Sequence, residues 1–260
     1  RVGTMPLQIG IVLLGATISL PYALAVSSVY LPWISLFVII SFVVGLMLGK
    51  ILGVHHRVAF LLSSGAAICG GTAMAAVAPI IKAKPHELLI AMTIIFLLNA
   101  AAIIIFPIVG NYLEMNNFEF GAWSALAIHD TGSVIGSALI FSNESAQVAA
   151  TLKLGRTIWL IPLILIANWI FNKQAQATKF PRFILFFLLA IIANTIFAFD
   201  EKIITILQIS SQAFLLFGLF CIGSQFNSSE LKSISGKPLI LALMLWAIVI
   251  PSAYFLVKYF

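Results

Sequence analysis

Four ionisable side chains lie within an otherwise apolar stretch of the chain, residues 120–156. They are His129, Asp130, Lys153 and Arg156. An ionisable group at membrane depth costs free energy, so such a group marks a functional site by default. The two cations outnumber the carboxylate, and this surplus of positive charge predicts that the stretch binds an anion. Arg156 carries the planar, bidentate donor pair that suits an oxyanion.

Asp130 is the expected neutralising partner of Arg156, because it is the only carboxylate that the apolar segments contain. Alternatively, the two simply pair while Lys153 extends to the membrane surface, and no substrate site is needed. Asp130 is also the predicted coupling group for a proton or a cation, with His129 as a proton relay. No second His, Cys or carboxylate follows at ligand spacing, so neither a metal nor a cofactor is expected.

Glycines and hydroxyls interrupt two apolar segments, 58–83 and 120–142. The half-helix after each interruption directs unpaired N–H groups and a partial positive charge at it, which suits an anion. The alternative is close helix packing through small residues. The predicted substrate-binding groups at these breaks are Gly70, Gly71, Thr72, Thr131, Gly132 and Ser133, in addition to Lys153 and Arg156.

Asn99 is a further candidate ligand. It lies at the centre of the apolar span that joins the two interrupted segments. A single amide at membrane depth more often makes a hydrogen bond between helices than it binds a ligand. Asn99 is the expected exception because of its position between the two breaks.

The elements that position these groups follow from composition. The chain is 62% hydrophobic and 8% charged, whereas about 25% of the residues in a soluble domain are charged. Its apolar runs do not alternate with polar residues as barrel strands do. The fold class is therefore predicted to be an all-α polytopic membrane protein. The net charge of +6 comes mainly from short loops, where Lys and Arg set topology, so nucleic acid is not an expected partner.

About 20 apolar residues span a bilayer, and on that rule the chain has about seven full spans and two discontinuous helices. The discontinuous helices are 58–83 and 120–142. The predicted full spans are 5–26, 31–49, 88–110, 146–171, 181–199, 203–225 and 238–257. We expect one transmembrane domain over 1–260, with a core at 58–171, further spans at 181–257, and an additional segment before Arg1.

The discontinuous helices resemble an internal repeat with an offset of 60 residues, which places Ala67 on Ala127 and Ala78 on Ala138. Each half has about 11 residues and is about 16 Å long, half a membrane. Either the two segments are re-entrant and meet from opposite faces near the midplane, or they cross the membrane completely. The re-entrant arrangement gives the stronger positive-inside bias. It collects on one face Arg1, Lys50, Arg57, Lys82, Lys84, Lys173, Lys179, Arg182, Lys232 and Lys237.

Several blocks of sequence resemble the sulfate exporter family of bacterial inner-membrane proteins. They are IGIVLLGATISL, CGGTAMAAVAPIIKA, GAWSALAIHDTGSVIGSA, ATLKLGRTIWLIP and SGKPLILALMLW, in family order over nearly the whole chain. The resemblance implies a multi-pass transporter in the bacterial inner membrane. More distantly, the chain is similar to bile-acid symporters and cation/proton antiporters, which implies inverted repeats with discontinuous helices that cross.

The sequence therefore predicts a secondary transporter, not an enzyme, that exports or exchanges a sulfate-like oxyanion or an organic acid. The lipid bilayer and a coupling proton or sodium ion are the other expected partners, and a homo-oligomer is compatible with the chain. Arg156→Ala is expected to fold but not to transport. The alternatives are a cation/proton antiporter with Asp130 as carrier, a membrane-embedded enzyme with His129 and Asp130 as acid and base, and a structural protein. The enzyme is disfavoured because no activated nucleophile or metal set is visible.

Overall fold

The computed structural model describes residues 4–157, 159–171, 182–223 and 236–258, and the regular elements in these ranges are α-helices. They are α1 (Thr4–Gly15), α2 (Leu20–Ile51), α3 (His56–Ala67), α4 (Gly71–Val77), α5 (Pro85–Tyr112), α6 (Asn117–Ala127), α7 (Thr131–Phe141), α8 (Asn143–Thr157), α9 (Leu160–Phe171), α10 (Arg182–Phe197), α11 (Glu201–Gly223) and α12 (Gly236–Lys258). The two segments that were predicted to be discontinuous are each a pair of short helices in the structure. Helices α3 and α4 form the first pair, and α6 and α7 form the second.

Four helical stretches of the described residues are long and apolar enough to cross a membrane. They are Tyr30–Ile51, Pro85–Tyr112, Asn143–Phe171 and Gly236–Lys258. Each has at least 22 residues, whereas about 20 apolar residues span the hydrocarbon core. Helices α10 and α11 occupy the ranges of two further predicted spans. The all-α polytopic membrane class is confirmed.

Helices α6 and α7 form a re-entrant hairpin that enters and leaves at one face of the protein. Phe120, in the first turn of α6, stacks on Phe141, the last residue of α7, with ring centroids 4.0 Å apart. The Ser145 hydroxyl, near the start of α8, donates a 2.8 Å hydrogen bond to the Asn117 carbonyl at the start of α6. Both ends of the pair therefore lie at one level. The re-entrant prediction is confirmed for 120–142, and the crossing alternative is wrong there.

Helices α3 and α4 form the other hairpin. The carboxylate of Glu87, in the first turn of α5, lies 3.2 Å from Nδ1 of His55 and 3.8 Å from Nη1 of Arg57, where α3 begins. Because α5 starts beside the first residues of α3, the chain between them returns to the face that it left. The re-entrant prediction is thus confirmed for 58–83 as well.

The two hairpins open on opposite faces, because α5 carries the chain from one opening to the other. This helix begins beside α3 and ends at Tyr112, shortly before α6. Its 28 residues correspond to about 42 Å, more than the thickness of the hydrocarbon core. At the far face, Nζ of Lys258 lies 2.9 Å from the Glu119 carboxylate. The hairpins therefore point at each other from opposite sides, as an inverted repeat requires.

The face at the first opening carries the basic loops. We call it the basic face and define it by Lys50, Arg57, Lys84 and Lys237, which lie at the ends of helices α2, α3, α5 and α12 that meet there. Its composition agrees with the predicted asymmetry of charge. Arg1, Lys173, Lys179 and Lys232, which that prediction also used, lie outside the described residues.

The predicted first span, 5–26, is wrong. Helix α1 ends at Gly15, and the chain turns before α2 begins at Leu20. The Thr17 hydroxyl donates a 2.8 Å hydrogen bond to the Leu14 carbonyl and so stabilises the turn. Pro21 stands in the first turn of α2, where proline is well tolerated because no helical N–H is lost.

Buried apolar side chains divide the described helices into two groups. The larger cluster contains side chains from each of the helices α2 through α9 and from α12. We call these helices the hairpin core. We call α1, α10 and α11 the side group, in which the Ser211 hydroxyl of α11 donates to the Gly10 carbonyl of α1 at 2.8 Å. The smaller cluster packs this group against α7 and α8 and contains Ile11, Leu14, Ile18, Ile135, Ala150, Leu154, Phe187 and Ile191.

Cross-linking is expected to detect the second hairpin directly. Nδ2 of Asn117 and Oε2 of Glu144 are 2.8 Å apart, so cysteines at the two positions lie within reach of a short bifunctional thiol reagent. We expect a bifunctional methanethiosulfonate to cross-link Asn117→Cys/Glu144→Cys within one molecule, in a background with Cys69 and Cys221 replaced by alanine. Gel mobility before and after reduction measures it.

The matched control pairs Asn117→Cys with Lys84→Cys, at the opposite ends of α5. This pair is expected to stay without a cross-link, because the helix between the two positions is about 42 Å long. Failure of the first pair at full labelling by a maleimide would contradict the re-entrant arrangement, whereas cross-linking of the control would contradict the span of α5 between the two faces.

Candidate functional site

The breaks of the two hairpins meet inside the hairpin core. We call residues 68–70 the first hinge and residues 128–130 the second hinge. Gly70 has a φ of 59° and a ψ of −123°, a backbone conformation that residues other than glycine rarely adopt. A Cβ atom at Gly70 would lie 3.2 Å from Cα and 3.3 Å from the backbone N of Asp130. The absence of a side chain therefore lets the two backbones touch.

Arg156 of α8 fastens the inner ends of both hairpins. Its Nε donates to the carbonyl of Ala67 at 2.6 Å, and its Nη2 donates to that of Ala66 at 2.7 Å. Its Nη1 donates to the carbonyls of Leu126 at 2.7 Å and Ala125 at 3.1 Å. The side chain is fully buried. One guanidinium thus binds the last carbonyls of α3 and of α6.

Lys153 lies one turn before Arg156 and is also fully buried. Its Nζ donates to the carbonyl of Ile128 at 2.7 Å and approaches that of Ala125 at 3.5 Å. The alternative in which Lys153 extends to the membrane surface is therefore wrong. The Lys153 ammonium instead binds the carbonyl end of α6 at the second hinge.

The cations occupy the negative ends of two helix dipoles. The last carbonyls of a helix lack partners within it and carry a partial negative charge. At the ends of α3 and α6, Arg156 and Lys153 supply the missing donors and an opposite charge. This arrangement explains how two cations are tolerated at membrane depth without a carboxylate partner, because backbone carbonyls replace their hydration.

Asp130 does not pair with Arg156, and that prediction is wrong. Its Oδ2 accepts a hydrogen bond of 3.1 Å from the Ser133 N–H and one of 3.2 Å from the Ser133 hydroxyl, which makes it the N-cap of α7. No cationic nitrogen of the described residues lies within 4 Å of its carboxylate. Asp130 is half-buried, so the carboxylate stands at the positive end of a helix and at the boundary of the buried region.

Asn99 and His129 lie together at the second hinge. Oδ1 of Asn99 accepts a 3.3 Å hydrogen bond from the backbone N–H of His129. Both side chains are at most 2% exposed. Among the described residues, the Asn99 Nδ2 and both ring nitrogens of His129 find no hydrogen-bond partner within 3.5 Å, although the Ala66 carbonyl lies near the ring. The hinge therefore contains buried polar groups that have capacity for a further partner.

The remaining predicted donors surround the hinges unequally. Thr131 and Ser133 are each 7% exposed, and the Ser133 hydroxyl is already engaged by the cap of α7. Thr72 is half-buried, on a helix without a side-chain cap. Gly132 and Gly71 are buried, and a Cβ at Gly71 would lie 3.0 Å from the ring of Phe96. The N-terminal N–H groups of α7 already have a hydrogen-bond acceptor in the Asp130 carboxylate.

Sequence analysis missed the principal partners of the two cations, which are backbone carbonyls and leave no signature in residue type. It also missed Phe37 of α2, whose ring centroid lies 5.7 Å from Cζ of Arg156. A cation over an aromatic face gains about 0.5–2 kcal/mol. The signal available in the sequence was the run of small residues before each hinge, which lets the carbonyl ends of α3 and α6 approach α8 closely.

The crossing contains two sets of groups: cations that hold the hinges in place, and donors with one carboxylate that could bind an ion. Arg156 and Lys153 neutralise the carbonyl ends and hold the hinges together. The N-terminal ends of α4 and α7, with Thr72 and Asp130, face the same crossing. Hydrogen-bond donors and one carboxylate, held by irregular backbone at mid-membrane, can bind a small ion and exchange it with a proton or cation.

Comparison with known families places the chain among membrane proteins. A family model described as conserved hypothetical protein 698 matches residues 2–242. This match covers both hinges, Lys153 and Arg156, so the candidate site lies within the part of the chain that the family shares.

Individual bacterial relatives are each described as a UPF0324 membrane protein. The protein from Bacteroides thetaiotaomicron is 37% identical over 245 residues, which cover 94% of this chain and 74% of that protein. The protein from Vibrio parahaemolyticus is 39% identical over 249 residues, with 94% and 80% covered. The protein from Geobacter sulfurreducens is 34% identical over 249 residues, with 96% and 80% covered. No solved structure gave a significant match.

Proposed function

The chain belongs to the conserved hypothetical protein 698 family of membrane proteins, and on that premise we propose that it is a secondary transporter of a small anion. The substrate class is a sulfate-like oxyanion or an organic acid. The proposed location is the bacterial inner membrane, with the basic face toward the cytoplasm according to the positive-inside rule. Export and exchange both fit this assignment.

The observation that carries the proposal is the meeting of two opposed re-entrant hairpins at Gly70 and Asp130. Secondary transporters place their substrate at discontinuous helices near the midplane, between inverted repeats. Irregular backbone at this depth survives only where protein or water lines it. A structural membrane protein needs neither the broken helices nor two buried cations.

The sum of charge at the crossing favours an anion. With both side chains protonated, Arg156 and Lys153 contribute two positive charges, and an ionised Asp130 contributes one negative charge. Two helix C-termini and two N-termini contribute about half a charge each, and these contributions cancel. One net positive charge remains when Asp130 is ionised, and protonation of Asp130 raises it to two. Taking up a proton with the anion would therefore strengthen anion binding.

The boundary between the hairpin core and the side group is the proposed plane of movement. Apolar side chains of α1 and α10 pack there on Ile135, Ala150 and Leu154. Few polar contacts of the described residues cross it: Nε2 of Gln147 is 3.4 Å from the Thr17 hydroxyl, and the Leu20 N–H donates to the Thr195 hydroxyl at 2.7 Å. Packed apolar surfaces with few directional bonds can slide or rock, which is how alternating access is achieved around a fixed site.

A cation/proton antiporter is the second candidate, because the Asp130 carboxylate is half-buried and has no ion pair within the described residues. Such a carboxylate could take up sodium or a proton in turn. On this alternative Lys153 and Arg156 have a purely structural role, and no anion needs to bind.

Asp130→Asn is expected to separate coupling from binding. Asparagine is as good an N-cap as aspartate, so α7 is retained while the ionisable group is lost. We expect a pH gradient to stimulate uptake of labelled sulfate or an organic acid into proteoliposomes at least about tenfold less in the variant than in the unmodified protein. Anion exchange at equal pH should continue. Parallel measurement of labelled sodium flux tests the antiporter.

The matched control is Asp200→Asn, at an exposed N-cap whose carboxylate accepts the Ile203 N–H. It is expected to transport normally. Sodium flux that disappears in Asp130→Asn, with no anion flux in the unmodified protein, would replace the anion proposal by the antiporter. Absence of both fluxes in the unmodified protein, across a panel of anions, would contradict transport.

A further inference from the structure

We propose that the basic face holds the phosphate headgroup of an anionic phospholipid in a cavity between α3, α5 and α12. The cavity has a volume of about 490 Å³. Its polar lining comes from Gly53, His55, Lys84, His86, Gly236 and Lys237. This site is distant from the hinges and independent of the transport proposal.

The charge of the cavity is positive because its one carboxylate is already engaged. Glu87 is 6% exposed, and it contacts His55 at 3.2 Å and Arg57 at 3.8 Å. The backbone N–H of Lys84 donates to the same carboxylate at 2.7 Å. No carboxylate of the described residues lies within 4 Å of the ammonium groups of Lys84 or Lys237. These two cations are available to an external anion.

The backbone adds room and donors. Helix α12 begins with Gly236 and Lys237 and has proline at its third position, so its first two N–H groups have no acceptor within the helix. A Cβ at Gly236 would meet no atom of the described residues within 4 Å. Gly53, with a φ of 63°, lets the Lys237 ammonium lie 3.5 Å from the position of its missing Cβ.

Apolar side chains at the same level favour a lipid over a soluble phosphate. Ile51 is 76% exposed, Ile240 is 47% exposed and Leu89 is 45% exposed. They belong to α2, α12 and α5, the helices that border the cavity. Basic pockets between membrane helices bind anionic headgroups while the neighbouring apolar surface contacts the acyl chains. A free phosphate ion would gain nothing from that surface.

The test titrates the purified full-length chain, in an uncharged detergent, with short-chain phosphatidylglycerol and follows thermal unfolding. Ligand that binds the folded state raises the unfolding temperature. We expect Lys84→Gln/Lys237→Gln to weaken binding about 25-fold, since each lysine near an anionic headgroup contributes roughly fivefold. Both lysines are exposed, so the variant should unfold normally without lipid.

The matched control is Lys50→Gln/Lys82→Gln, which removes the same charge from exposed positions outside the cavity. It is expected to weaken binding less than about threefold. Equal losses in the two variants would overturn the site in favour of diffuse surface charge. Equal stabilisation by phosphatidylcholine would overturn the charge recognition, and equal affinity for inorganic phosphate would overturn the assignment to a lipid.

Discussion

Arg156→Ala is expected to destabilise the folded protein by at least about 3 kcal/mol. The substitution leaves the carbonyls of Ala66, Ala67 and Leu126 without a donor, and that of Ala125 with only the 3.5 Å contact to Lys153. Each buried polar group that loses its partner costs about 1–3 kcal/mol. Sequence alone predicts a folded variant that does not transport, whereas the structure predicts one that unfolds. Thermal unfolding in detergent and the yield of monodisperse protein measure the difference.

Two further variants make this result specific to the hinges. Arg156→Lys keeps the charge but cannot reach four carbonyls, so we expect an intermediate loss of stability. Arg57→Ala removes an arginine whose contact with Glu87 is 3.8 Å and half-exposed, and it should cost less than about 1 kcal/mol. An Arg156→Ala protein with an unchanged unfolding temperature would contradict the fastening role.

Gly70→Ala is expected to separate the two hinges and to abolish transport. A Cβ there meets the Asp130 backbone at 3.2 Å, and the backbone conformation at Gly70 costs another residue about 1–3 kcal/mol. We expect a loss of stability of about 2–6 kcal/mol, the sum of the backbone strain and the displaced packing. Uptake into proteoliposomes and thermal unfolding should both decline.

Gly155→Ala is the matched control, because a Cβ at that helical position meets no atom of the described residues within 4 Å. Alanine is a better helix former than glycine by about 1 kcal/mol, so this variant should be at least as stable as the unmodified protein. Equal behaviour of the two glycine variants would show that close contact between the hinges is not required.

The membrane class, the two hairpins and the location of their breaks could be predicted from sequence. Length and apolar character define a span, and the glycines at 70 and 71 and the polar run at 130–133 interrupt it at half a membrane. The distribution of Lys and Arg then favoured re-entrant hairpins, which the stacking of Phe120 on Phe141 confirms.

The partner of Arg156 could not be predicted in this way. Sequence offers side chains as partners, and Asp130 was the only acid within the apolar segments. Two helix ends supply carbonyls with partial negative charge, and their proximity depends on how the hairpins cross, which residue types do not encode. Asp130 in turn caps α7, as its position before the helix and three residues before the Ser133 N–H allows.

The end of α1 was missed for a related reason. A continuous apolar run over 5–26 satisfies the length rule for one span. The turn after Gly15 is favoured by tertiary packing, since a Cβ at Gly15 would lie 2.6 Å from the Phe187 ring of α10. The approach of a distant helix is not visible in a local window of sequence.

One guanidinium that holds two opposed hairpins has a mechanical consequence. Each hairpin reaches the crossing from its own face, and neither inner end can withdraw without losing two hydrogen bonds to Arg156. The two halves of the barrier are therefore joined and must travel together as one rigid piece. If the chain transports as proposed, opening toward one face would carry the opposite half along, and no continuous aqueous path would form across the membrane.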